Sequence, residues 1–331
     1  MSDKILANQN TPSSIQKLQA QRQLYSRAKF LTGIQVFLSV PFMFLVTLAA
    51  LFHSNAWLSS FLKLLPNDLT WLVVLASIGV VIVEIIFQIQ VASLKEQAAL
   101  IQQKFDSDVL KLPWCDVTYG QPVDHETIER WANRYKQKHK NSDDLYDWYP
   151  ETVQTVPTVI GQMICQRTNC WWDQTVRQAY NNLILFVGGV LLLVISAMAI
   201  HADLSITGTI ATIGVAVLPF ILTMPYIYIA NLDAINRLTN MKFKIEEQWG
   251  LILKGKCNNV EQNNFIEKIQ YQIFSNRKDN PLIFDWIYFL DKNKNNDSMN
   301  FTADELASEF NAVKAQQIQI NTSTGISATA T

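Results

Sequence analysis

A catalytic centre in this chain would have to be assembled from four histidines, four cysteines and scattered carboxylates, and their spacing does not permit one. His53 and His201 stand at the ends of apolar runs, whereas His125 and His139 flank a polar helix, so the imidazoles cannot converge. Cys115, Cys165, Cys170 and Cys257 form no CxxC or Cys/His cluster and read as free thiols. There is no Gly-rich phosphate loop and no HExxH, so neither enzyme activity nor a cofactor is expected. Asp291, Asn293, Asn295 and Asp297 imitate a calcium loop, but Asn296 stands where glycine is required and Thr302 where a bidentate glutamate is required. A polar turn, followed by a helix capped by Thr302 with Glu305, is expected there instead.

Two other kinds of chemistry remain, an acid in an apolar setting and a set of recognition residues. Glu84 lies between Val83 and Ile85, inside an otherwise uncharged run. Such acids face a partner, a water-filled cavity or a conduction path; Glu84 either lines a pore or is hydrogen-bonded between helices. The second set is Trp148, Tyr149, Trp171 and Trp172 with Arg167. Aromatic faces stack bases and a guanidinium pairs with phosphate in bidentate fashion. Equally, the rings can form a small core and Arg167 can pair with Asp147 or Asp173. Pro150 fixes a turn before Glu151.

The elements that must position these residues are four apolar runs, Phe30–Phe52, Thr70–Val91, Leu183–Ala202 and Ile206–Ala230. About 20 helical residues span a hydrocarbon core of about 30 Å. The last two runs contain no Lys, Arg, Asp or Glu and lack a polar face, and little more than Asp203–Ser205 separates them. They read as a transmembrane hairpin. In the fourth run Gly208, Thr212 and Ala216 recur every four residues, a face that admits close helix packing. Pro41 interrupts the first run, and Pro219 and Pro225 the fourth, each removing a helical hydrogen bond.

Orientation follows from the basic residues. Lys17, Arg22, Arg27 and Lys29 precede the first run, Lys95 and Lys104 follow the second, Arg167 and Arg177 precede the third, and Arg237, Lys242 and Lys244 follow the fourth. The two hairpin tips offer only Lys63. The positive-inside rule then places both termini and the middle segment in the cytoplasm. The expected fold is all-α, a polytopic membrane protein with four transmembrane helices in two hairpins and a mainly helical cytoplasmic domain. Its parts are a cytoplasmic amphipathic N-terminal helix in 1–29, hairpin 1 in 30–91 (spans about 30–52 and 70–91) and a cytoplasmic middle segment in 92–180. Hairpin 2 follows in 181–230 (spans about 183–202 and 206–230), then a cytoplasmic helical part in 231–315 and a disordered tail in 316–331. A net charge of −1 gives no argument for DNA binding, and none is expected.

Within the polar segments, Leu94, Ala98, Ile101, Phe105 and Val109 form one stripe, so the second span continues as a helix until Leu112–Pro122 breaks it. His125–Lys138 predicts a short helix, and apolar spacing from Ile160 to Tyr180 predicts one running straight into the third span. Ile235, Leu238, Met241, Ile245 and Trp249 extend the fourth span, and Phe265, Ile269 and Ile273 suggest a helix ending before Ser275–Asn280. Pro281–Leu290 is expected to pack back onto the middle segment. Ser14–Lys29, with Ile15, Leu18 and Leu24 between basic residues, lies either on the inner membrane surface or on the protein's own body.

The motif order Asp147-Trp148-Tyr149-Pro150, then Cys165-Gln166-Arg167-Thr168-Asn169, Trp172-Asp173, Arg177 and Tyr180 resembles the SMODS-associating four-transmembrane effector family. Ala20-Gln21, Tyr25–Lys29, Phe105-Asp106 to Trp114, Ile269-Gln270 to Arg277 and Asp285-Trp286 are similar too, so the likeness covers most of residues 14–310. The resemblance implies a bacterial conflict-system effector, encoded beside a nucleotidyltransferase that makes a cyclic oligonucleotide, that perforates the inner membrane. The implied partners are the lipid bilayer, further copies of the chain in a homo-oligomer, that nucleotidyltransferase, and either the cyclic oligonucleotide itself or a separate sensor protein. On this reading Asp147, Trp148, Tyr149, Pro150, Gln166, Arg167, Trp172 and Asp173 are the candidate signal-sensing or structural set. A non-conducting membrane scaffold is the alternative. A transporter is weakened by the lack of a second intramembrane acid and of an internal repeat.

Overall fold

The computed structural model describes residues 3–42, 70–201, 215–290 and 292–328. Helix α1, Asp3–Gln9, leads into α2, Pro12–Phe37. The Thr11 hydroxyl caps α2 by accepting the Ser14 N–H, and Pro12 occupies the first turn, where its missing N–H costs nothing. A π-helical turn, Leu38–Phe42, follows and contains Pro41; its wider pitch accommodates the residue that cannot donate.

Three long rods dominate the chain: α3 (Thr70–Leu110), and, further on, α6 (Thr158–His201) and α7 (Val215–Leu253). Each is about 60 Å long at about 1.5 Å per residue, roughly twice a hydrocarbon core. α3 ends where Lys111 takes φ 58° and the Leu112 N–H returns to the Ser107 carbonyl at 2.9 Å, a left-handed stop that satisfies a terminal carbonyl. Between α3 and α6 lie α4 (Asp116–Tyr119), α5 (His125–Lys138, capped by Asp124) and two 3₁₀ turns, Asp143–Leu145 and Glu151–Thr155. After α7 come α8 (Asn259–Asp279, opened by an Asn258/Glu261 capping box), α9 (Asp285–Leu290) and α10 (Lys292–Ala328). No strand occurs among the described residues.

α2 lies along α3 and α5, α6 along α7, and α8 bridges α3 and α6, with α10 against α6 and the second 3₁₀ turn. The main core draws Phe105 and Val109 from α3, Met163 and Ile164 from α6, Leu238 and Ile245 from α7, and Ile266 and Ile269 from α8. A second cluster joins Ala20, Leu24, Ala98, Ile101, Ile128 and Ala132. A third, Val176, Tyr180, Ile184, Ile283 and Ile287, is where α9 lands on α6.

Beyond these cores the rods are bare. Ile78, Ile82, Ile85 and Ile89 of α3, and Leu185, Phe186, Leu192 and Leu193 of α6, are exposed. A continuous apolar surface of this size is unfavourable in water and stable in hydrocarbon. Two described stretches, Ile78–Leu110 and Thr158–Val194, are long and apolar enough to cross a membrane. Of the other two expected spans, residues 30–42 and 215–230 are helical, and 43–52 and 206–214 lie outside the described residues.

Several expectations are corrected. α2 buries Ile15, Leu18 and Leu24 in the protein's own core, together with Lys17, Gln19 and Gln23, so it packs on the body rather than on a membrane surface. No cap occurs at Thr302, which sits inside α10 with its hydroxyl bonded back to the Ser298 carbonyl. Ala303 and Ala307 enter the main core and Trp249 donates to Glu309; tertiary packing overrides the weak propensity of the Asn-rich start. α10 then continues through the stretch from 316 expected to be disordered, as far as Ala328. α8 likewise runs past Ser275 to Asp279.

Candidate functional site

Where the rods enter the body, a cavity of about 620 Å³ opens between α2, the 143–148 loop, α6, the end of α8 and the start of α10. Helical spacing brings its walls together. Arg22, Tyr25 and Lys29 stand at i, i+3 and i+7 on one face of α2; Trp172, Asp173, Val176 and Arg177 at i, i+1, i+4 and i+5 on α6; Ile273, Asn276, Arg277 and Asn280 at i, i+3, i+4 and i+7 on α8.

Five cations line the cavity, and each meets a carboxylate. Arg22 pairs with Asp144, which Lys292 also approaches at 3.9 Å. Lys29 pairs with Asp285 at 2.6 Å, Arg177 with Asp173 at 3.1 Å and Arg277 with Asp106 at 2.6 Å. Asp143, Asp144, Asp147, Asp173 and Asp285 also face the space, so the walls carry five charges of each sign. Burial lowers the Lys29 and Lys292 ammonium pKa values despite their acidic neighbours. For Arg277 burial also works against the charge, yet Asp106 and Tyr149 leave the guanidinium more firmly protonated than usual. Arg22 additionally lies over the rings of Tyr288 and Phe289 at 5.8 and 5.9 Å.

Behind the wall is a buried polar network centred on Asp106, which is fully buried. Its carboxylate accepts from the Tyr149 hydroxyl at 2.8 Å, the Gln270 amide at 2.9 Å and Arg277 at 2.6 Å. Gln270 also donates to Gln103, and Gln166 donates to Gln270 and to the Ile266 carbonyl. A second polar knot holds α6 to α7: Asn231 accepts from Arg177 at 2.7 Å and donates to the Arg177 carbonyl and to Asn181. Arg177 donates as well to the Pro281 carbonyl at 3.1 Å, which ties in the segment before α9.

The motif residues divide between wall and support. Asp147, Trp148, Trp172 and Asp173 line the cavity. Tyr149 and Gln166 belong to the network behind it, and Pro150 is buried at the start of a 3₁₀ turn. Asp147 holds φ 52° because Asn10 both donates to its carboxylate and accepts its N–H, while Gln9 clasps the backbone of Tyr149. Arg167 pairs with neither Asp147 nor Asp173: its guanidinium reaches Glu246 on α7 at 2.7 Å, because on α6 it faces the neighbouring rod. Half-buried Glu84 receives the Gln35 side-chain amide on its backbone carbonyl at 3.0 Å, which joins α2 to α3 inside the apolar zone. Ala216 lies in α7, while Gly208 and Thr212 fall outside the described residues.

The motif set left out Arg22, Lys29, Arg277, Asp144 and Tyr288. The 22, 25, 29 spacing on α2 was the available signal, since a cationic-aromatic face on a helix that also buries an apolar face needs an acidic partner or a ligand. The cysteines are all free, with Cys165 and Cys170 buried; burial pushes the Cys170 thiol up to about 12. No cluster of three or more metal-ligating side chains occurs among the described residues.

Two helices of membrane-spanning length and apolarity that continue into an all-helical body, with a charged and aromatic cavity where they enter it, define the class of protein: helical, with rods suited to a bilayer. The chain belongs to the SMODS-associating 4TM effector domain family, whose pattern matches residues 3–306. It is 24% identical over 299 residues to a protein of Bacillus cereus (strain VD146) described as a probable CBASS effector molecule, an alignment covering 89% of this chain and 95% of that one. No solved structure matches.

Proposed function

We propose that this chain is the membrane-acting effector of a bacterial anti-phage system, and that it breaches the inner membrane as an oligomeric pore when a cyclic oligonucleotide, made by a partner nucleotidyltransferase, occupies the cavity. One observation carries the reading: Trp172, Asp173 and Arg177 of the cavity wall stand on the same unbroken helix as the exposed Leu185–Val194 stretch. Whatever fills the cavity therefore acts directly on a rod that enters the bilayer. The chemistry is suitable, since Arg22, Lys29 and Arg277 suit phosphates and Tyr25, Trp148, Trp172 and Tyr288 suit bases. The volume also falls in the range of about 300–1,000 Å³ usual for small-ligand sites.

Because the walls are neutral, a polyanion binds by exchange. Its phosphates take Arg22 and Lys29 while Asp144 and Asp285, both partly open to water, turn outward. The exchange unfastens α2 from the 143–148 loop and from α9, and α2 leads into the first apolar run. Both termini are cytoplasmic on this reading, and Glu84 faces the conducting path.

Calorimetry on detergent-solubilised protein against a panel of cyclic oligonucleotides, paired with dye leakage from liposomes, tests this. The expected result is heat and leakage with one member, both lost in Arg22→Ala, and altered leakage in Glu84→Gln. Heat with none of the panel assigns sensing to a separate protein, and heat with one member but no leakage overturns the membrane-breaching role.

A further inference from the structure

Below the cavity a second recess of about 450 Å³ runs between α2 and α9, lined by Ser26, Lys29, Phe30, Gly33, Ile34, Phe37, Phe284, Asp285 and Trp286. Its composition is graded. Ser26, Lys29 and Asp285 make one end polar, and the wall from Phe30 to Phe37 is apolar. Along α2 the distance from residue 26 to residue 37 is about 16 Å, much of the depth of one bilayer leaflet.

Three features fix where this recess lies. Phe30 and Phe37 are 57% and 55% exposed, and the apolar run of α2 begins at Phe30. α9 is anchored through Ile287 beside Val176, Tyr180 and Ile184, at the inner end of the α6 apolar run, with Ile227 and Tyr228 of α7 packed on the same cluster. Trp286 is 54% exposed at that level, the position that tryptophan favours in membranes. One turn before Phe30 on α2, exposed Arg27 lies over the Phe30 ring at 5.5 Å, beside the recess. Gly33 forms part of the floor beside the Phe284 ring, where a Cβ would sit in ordinary contact at 3.7 Å and only a larger side chain would fill the recess.

We propose that this recess is a binding site for a bilayer phospholipid, with an acyl chain along Phe30–Phe37, Trp286 at headgroup depth and the phosphate at Arg27. Lys29 and Asp285 line both this recess and the cavity, so their ion pair is the partition between lipid and cavity. The site rests on the apolar rods lying in a bilayer and does not depend on which ligand enters the cavity.

The test uses full-length protein in bilayer nanodiscs with a phospholipid carrying a diazirine on its acyl chain, irradiates one sample before and another only after dilution into detergent, and maps the crosslinked peptides in each. The expected result is crosslinks on residues 30–37 and 284–286 that still form when irradiation follows dilution, while those on Ile78–Ile89 form only in the undiluted sample. Gly33→Leu, which fills the floor, is expected to abolish the persistent crosslinks and leave those on Ile78–Ile89 unchanged. Crosslinks at the recess that fall in parallel with those on Ile78–Ile89 and ignore Gly33→Leu mean general lipid contact only, and overturn the site. Absence of crosslinks on Ile78–Ile89 as well overturns the membrane placement itself.

Discussion

Along the single helix α3, Ile78, Val81, Ile82, Ile85, Ile86 and Ile89 are exposed, whereas Gln103, Asp106 and Ser107 are buried. The two halves reverse the ordinary relation between hydropathy and burial. On the membrane placement proposed above, the first half lies in hydrocarbon, where exposure of isoleucine costs nothing. In the second half polar groups are tolerated because each finds a partner: Asp106 three donors, Gln103 both Gln270 and Ser107. The same contrast holds on α6, where Gln162 and Gln166 are buried and Leu192 and Leu193 are bare. Burial in this protein follows from what surrounds each stretch of rod rather than from how apolar the stretch is.

The contrast can be broken most severely at Asp106. Asp106→Ala strands the Arg277 guanidinium and is expected to cost about 3–5 kcal/mol, read as a lowered thermal midpoint in detergent. The double substitution Asp106→Leu with Arg277→Met recovers much of that loss if the penalty comes from the unpaired charge. On the other half, Ile82→Arg is expected to cost about 2.5–3.5 kcal/mol in membrane insertion, seen as a fraction extractable by carbonate. Ile82→Leu is neutral by the same assay, and equal behaviour of the two variants would put Ile82 in water.

A smaller effect is expected at Tyr149→Phe, about 1–2 kcal/mol for the lost hydrogen bond to Asp106 and the longer one from Asn169. This residue also predicts a pH dependence. Burial, and next the Asp106 charge, hold the Tyr149 phenol well above its usual range. Its folded pKa is raised, so its contribution is complete below about pH 10, the unfolded value, and is lost as the pH climbs beyond it. Alkaline melting curves should therefore be flatter in Tyr149→Phe than in the parent. The smallest change is expected for Arg167→Ala, whose partner Glu246 is 37% exposed; the loss is within about 1 kcal/mol. A larger one, measured by the same melts, would make that contact part of the buried network.

Much of this division was legible in the chain. Stripes at helical spacing from Leu94 to Val109 and from Ile235 to Trp249 continue the apolar runs, and in the structure α3 and α7 are unbroken through them. The break at Leu112–Pro122 was equally plain, because Pro and Gly act locally. The Asp106 network was not legible, since Gln103, Gln166 and Gln270 have the composition of a solvated face and become core only when α3, α6 and α8 meet. The partner of Arg167 was hidden for the same reason, being supplied by a helix 79 residues later. The Asn-rich start of α10 read as a turn because its anchors, Ala303 and Ala307, are small residues that reveal nothing by themselves about what they pack against.

The knot at Asn231 sets how the second pair of rods can move. A slide of one residue between α6 and α7 would shift the helices by about 1.5 Å with a turn of about 100°, parting Asn231 from Arg177 and Asn181 together. Tilting about the same point leaves all three bonds intact. The pair therefore pivots as shears on a rivet: α6 has about equal arms on the two sides and α7 its longer arm in the body, so displacements in the body become opposite displacements of similar size beyond it.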